Sequence, residues 1–79
     1  MIPKALDERA LVALVQAGAA IELLVTRTSP EGAYSASARI GVRWVPLRSQ
    51  RDPVRTWKSL DALVSFSDKI GIQRLSVEL

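Results

Sequence analysis

Residues 59–79, SLDALVSFSDKIGIQRLSVEL, change their apolar period once, at Gly71, and that change decides the fold class. Before it, Leu60, Leu63, Val64 and Ile70 recur at the three- and four-residue spacing of one helix face. Ser59 is a good N-cap and Asp61 falls in the first turn, so a helix is predicted from Leu60 to Ile70, closed by Gly71. After the glycine, Leu75, Val77 and Leu79 alternate with Arg74, Ser76 and Glu78, the two-residue period of a strand from Ile72 to Leu79.

Upstream, a strand is predicted from Ala20 to Thr28, where Ile21, Leu23 and Val25 alternate with Glu22, Leu24 and Thr26. Ser29-Pro30-Glu31-Gly32 is a turn sequence that sends the chain into an antiparallel return strand, Ala33 to Ile40. Tyr34, Ala36, Ala38 and Ile40 share one face of it. Gly41 marks a second turn or bulge. Arg43 to Leu47 reads as a third strand whose Pro46 implies an edge, an end or a bulge. A polar loop, Ser49 to Pro53, precedes a short fourth strand, Val54 to Trp57. At the other end, Pro3, Asp7 and Glu8 suit a helix start, and Leu6, Ala10, Leu11, Leu14 and Val15 line one face, giving a helix over about residues 4–17 before Gly18. The expectation is one α+β domain, 1–79, in the order α-β-β-β-(β)-α-β. Its sheet is mainly antiparallel and packs against two helices.

A chain of 79 residues has apolar material for a single core, and 48% apolar against 24% charged residues is the balance of a folded protein. It holds no cysteine and no histidine. Disulfides and thiolate chemistry are excluded, and zinc, haem and iron-sulfur sites lose their usual ligands along with the usual general base. The acids Asp7, Glu8, Asp61 and Asp68 read as helix surface and helix-start positions. The serines lack an activating histidine, although Lys58 stands beside Ser59, which reads as a cap. The glycines at 18, 32, 41 and 71 each mark an element boundary, not a phosphate loop. The expectation is therefore a non-enzymatic protein with no cofactor, no metal and no small-molecule substrate. The apolar stretch from Ala10 to Ile21 is too short for a membrane span, and Asp7 and Glu8 argue against a secretory leader, so a cytoplasmic location is expected.

The net charge of +3 is unevenly spread: residues 39–58 carry six basic side chains against Asp52 alone, a local charge of +5. Arg39, Arg43, Arg48, Arg51, Arg55 and Lys58, interleaved with Trp44 and Trp57, are candidate contacts for nucleic acid or an acidic partner. Alternation along strands would split them between faces and leave long arginine stems covering apolar neighbours. Trp57, three residues before Leu60, reads as a core anchor. Trp44, beside Arg43, is a candidate contact residue if exposed.

Leu14-Val15-Gln16-Ala17-Gly18-Ala19, the turn Pro30-Glu31-Gly32, Val54-Arg55-Thr56-Trp57-Lys58-Ser59-Leu60-Asp61 and Ile70-Gly71-Ile72-Gln73-Arg74-Leu75 resemble small ParC-like, partition-associated proteins encoded on bacterial plasmids and integrative elements. The likeness covers most of the chain. It implies a bacterial cytoplasm and an accessory role near plasmid maintenance, and it assigns no binding residue.

Two expectations of function follow. One is a protein-interaction module; the other is a small nucleic-acid-binding domain using a sheet face and the segment 39–58. Self-association is expected, as a homodimer through the edge of the last strand (Leu75, Val77, Leu79) or through an apolar residue left outside the core, Leu24 or Trp44. The alternative places the last strand inside the sheet, parallel to the first through the second helix, where it has no free edge.

Overall fold

Two side chains start the helices. Asp7, in an extended conformation, accepts the Ala10 N–H at 2.8 Å and opens α1 (Glu8–Gln16), while Ser59 accepts the Ala62 N–H at 3.1 Å and opens α2 (Leu60–Ile70). In this computed structural model, which describes residues 3–28 and 33–78, the remaining elements are β1 (Ala20–Arg27), β2 (Tyr34–Ile40), β3 (Arg43–Pro46) and β4 (Arg74–Glu78). The element order is the one expected, without the fourth strand before α2. The turn predicted at Ser29 to Gly32 lies outside the described residues, as does Leu79.

The sheet order is β3-β2-β1-β4. Neighbours β1–β2 and β2–β3 are antiparallel, and β4 joins β1 in parallel through the α2 crossover. Both helices lie on one face. There Leu23 and Val25, Ala36 and Ala38, and Val45 meet Leu11 of α1 and Leu63, Phe66 and Ile70 of α2 in one buried cluster. Each fully buried leucine of this kind stabilises the fold by about 1.5–3 kcal/mol.

Several local expectations are corrected. α1 begins at Glu8, not residue 4, because Leu6 is used otherwise: its N–H donates to Pro46 O at 2.9 Å and its carbonyl accepts the Arg48 N–H at 2.8 Å. That bridge to Leu47 carries the sheet one step past β3 and buries Leu6. Residues 54–57 do not form a strand. Ser49 and Asp52 close the loop on themselves, with the Asp52 N–H on Ser49 Oγ at 2.9 Å, and Pro53 has no N–H to offer a ladder. The chain leaves the sheet after Leu47 and comes back through two contacts, the Arg55 N–H on the Leu47 carbonyl at 3.0 Å and Trp57, whose N–H and C=O pair with Tyr34 at 2.8 and 2.9 Å. Val64, expected inward, is exposed: the buried stripe of α2 is Leu63, Phe66, Ser67 and Ile70, and Val64 stands about 100° around the helix from Leu63. Ile21 is also exposed, because a register shift between Ala20 and Leu23 turns it out of the face of Leu23 and Val25.

Gly71 ends α2 as expected, at φ +92, with the Ile72 N–H reaching back to Ser67 O at 3.0 Å. The Ser67 hydroxyl donates to the Ile72 carbonyl, so the one buried polar side chain among the described residues is satisfied. Gly41, at φ +62, takes the first central position of the two-residue β2–β3 loop and leaves Val42 at the tip, where it is 93% exposed.

Candidate interaction surface

Alternation along the strands sends every second side chain away from the helices, and among the described residues no helix covers that second face. Paired positions across it form three rows. One runs Trp44, Arg39, Glu22, Arg74; the next Pro46, Ser37, Leu24, Ser76; the third Ser35, Thr26, Glu78. Small and polar residues dominate, so the uncovered face costs little in contact with water. Leu24 and Trp44 are the large apolar exceptions: Leu24 is half-buried, and Trp44 sits at 41% exposure directly opposite Arg39.

The first row is electrostatically organised. Arg39 Nη1 stands 3.6 Å from Glu22 Oε1, and Arg39 Nε donates to the Gly41 carbonyl at 3.1 Å. Ser76 Oγ donates to the other Glu22 oxygen at 3.2 Å. Glu22 thus ties β2 to β4 across β1. It was not singled out from the sequence, although alternation with Leu23 and Val25 already put it on the outer face. In the third row the Thr26 and Ser35 hydroxyls are 3.2 Å apart.

The six basic residues of segment 39–58 do not gather on this face. Arg39 alone belongs to it. Arg43 stands at the hairpin end opposite Ile40, Arg51 and Lys58 are exposed in the loop between β3 and α2, and Arg48 and Arg55 are half-buried against α1. Arg55 is engaged in the fold. Its guanidinium carbon lies 4.9 Å from the Trp57 ring centre and 4.6 Å from that of Phe66, while Nη1 donates to Glu8 Oε1 at 3.1 Å. Trp57 itself is 8% exposed and packs on Phe66 with ring centres 5.1 Å apart, which makes it the expected core anchor under α2.

Glu8 joins that cluster to α2 through Lys69 Nζ at 3.4 Å. The hydrogen bond from Arg55 holds its carboxyl below the usual carboxylate range, partly opposed by desolvation and aided by the charge of Lys69. Pairings 47 and 61 residues apart in the chain have no local sequence signal. A cleft of about 540 Å³ opens between the start of α1 and the loop after β3, lined by Glu8, Arg9, Arg48 and Arg55 among others. Its acids are already committed, Asp7 to a cap and Glu8 to two cations.

The candidate self-association residues separate as well. Leu24 is half-buried at the centre of the open face, and Trp44 lies at its rim. Leu75 and Val77 point to the helix side of β4, half-buried and 47% exposed respectively. The edges of the sheet differ. Leu6 and the loop returning to Trp57 occupy the β3 side, whereas on the other side, among the described residues, β4 pairs with β1 alone.

Comparison with protein-family models, with curated proteins and with solved structures finds no match for this chain. Among the described residues no three acidic side chains gather as a metal site would require, and no helix is long and apolar enough to cross a membrane.

Proposed function

We propose that this chain is a non-enzymatic binding module that acts through protein–protein contacts, in the cytoplasmic accessory role near plasmid or mobile-element maintenance that its ParC-like resemblance implies. The observation that carries the reading is the sheet itself. Among the described residues one face has no covering helix and presents Trp44 beside Arg39, the residue types that dominate contact energetics, and the edge strand β4 pairs on its inner side alone. A photo-cross-linking side chain at position 44 tests it in cells that carry the protein. Discrete protein adducts there, absent with the same group at Ser65 on α2, support the reading; adducts to nucleic acid alone, or none, overturn it.

The second reading, nucleic-acid binding by the sheet face, is favoured by the same Arg39–Trp44 pair, since bases stack on exposed aromatics and arginine pairs phosphate. Weighing against it, Arg39 is already paired with Glu22, Glu78 also points to that face, and Arg55 is held by the fold. A duplex that gained about four phosphate contacts would show log K falling with log salt at a slope near −3.6. Binding of that kind, flattened by Arg39→Ala with Arg43→Ala, would establish the second reading; no binding at low salt removes it.

A further inference from the structure

The residues of β4 read Arg74-Leu75-Ser76-Val77-Glu78, and their chemistry is the same forwards and backwards with opposite charges at the two ends. We propose that this strand is a homodimer contact, pairing antiparallel with β4 of a second copy about a two-fold axis at Ser76. The proposal rests on the protein-binding reading and names the occupant of one of its surfaces.

The register follows from the strand. Opposing Ser76 to Ser76 sets Arg74 opposite Glu78 twice and Leu75 opposite Val77 twice, so all five residues of each copy find a complementary partner. Arg74, Ser76 and Glu78 share the open face with Glu22, Leu24 and Thr26, while Leu75 and Val77 share the helix side with Leu23 and Val25. Opposite residues in this register therefore lie on matching faces, and the outward N–H and C=O groups of the two copies are in phase. A slip of one position sets apolar against charged and puts the backbone groups out of phase. A slip of two leaves Arg74 or Glu78 facing serine and shortens the pairing.

Nothing on β4 protects its edge. It has no proline and no bulge, and no charge points to the helix side. On the opposite side of the sheet, by contrast, Pro46 ends β3 and the Leu6 bridge caps it. Val77, half-exposed on the helix side, is the apolar surface such a contact would cover. The product joins two four-stranded sheets into one continuous sheet with all helices on a single side.

Charge exchange tests this without truncating the strand. In sedimentation across a concentration series the chain is expected to dimerise, and Arg74→Glu or Glu78→Arg alone to weaken dimerisation about tenfold, because each sets like charges opposite one another twice. Mixing the two variants restores association, since each supplies the charge that the other lacks, and so does the double exchange in one chain. Circular dichroism confirms that each variant is folded. A chain that stays monomeric up to millimolar concentration overturns the proposal, as does a dimer that ignores the single exchanges or that mixing fails to restore. A monomer that still gives protein adducts at position 44 would sink the β4 pairing and leave the proposed function standing.

Discussion

Trp44 and Trp57 are thirteen residues apart in the same basic stretch, each with a cationic neighbour, and the fold uses them oppositely. Trp57 is at the point where the chain rejoins the sheet just before α2, and Phe66 and Arg55 close over it. Trp44 is in the middle of β3, one position out of phase with buried Val45, and alternation alone turns it to the uncovered face. The contrast teaches that aromatic and basic composition does not mark a contact surface. The element that carries the residue, and the layer packed on that element, decide between a core anchor and an exposed ring. Arginine follows the same rule: Arg55 stacks on the core rings, while Arg39 lies across the open face.

The largest expected effect breaks the buried half of this pair. Trp57→Ala removes the ring that Phe66 and Arg55 pack against and should cost about 3–5 kcal/mol in denaturant unfolding, enough to unfold a domain of this size. A loss below 1 kcal/mol would mean that Trp57 is no anchor. Next, Ser59→Ala takes the acceptor from the Ala62 N–H at the start of the helix that holds Phe66, and should lower stability by about 0.5–2 kcal/mol with the folded spectrum unchanged. An unchanged midpoint would remove that cap from the account.

A smaller effect sharpens the role of Arg55. Because the Glu8 carboxyl has its folded pKa lowered, its contribution is present above the unfolded value of 4.5 and is lost as pH falls through the lower folded value. Comparing the protein with Glu8→Gln, the stability difference should be level near neutral pH and disappear in acid. For a pair this accessible to solvent it should stay within about 1 kcal/mol. A difference that persists in acid would assign the effect to packing. The smallest effect belongs to the exposed ring. Trp44→Ala should change stability by no more than about 0.5 kcal/mol, and in Trp57→Phe the remaining Trp44 fluorescence should be readily quenched by iodide. A large loss of stability there would show that the open face carries structural weight.

The element order, the second helix and its glycine stop were legible because they depend on neighbours in sequence. Ser59 reaches Ala62, Gly71 sits after one apolar period and before another, and the spans of β1 to β3 follow alternation. Two of the failures share a cause. Leu6 sits on a helical period but pairs with Leu47, and Val54 to Trp57 looks extended but contributes one bridge. In each case a backbone partner more than twenty residues away, or a loop closed by Ser49, satisfied the hydrogen bonds that local propensity had assigned elsewhere. The candidate surface was legible only in part. Alternation separated Arg39 from its neighbours, but the Glu22 tie and the capture of Arg55 by Glu8 needed strands and helices in place.

What the sequence determined by itself was therefore the two helices, four of the strands, their order and, Ile21 apart, the face that the residues of β1 to β3 take, because periodicity and capping are short-range properties of the backbone. The position of β4 shows what it left undetermined. An interior parallel strand and an exposed edge strand both satisfied the same alternation, and the structure combines one feature of each: β4 is parallel to β1 through α2, yet outermost in the sheet. That choice belongs to tertiary structure, because strand order is set by which side of β1 remains free once the β2 hairpin has taken the other, and no property of residues 74–78 alone records it.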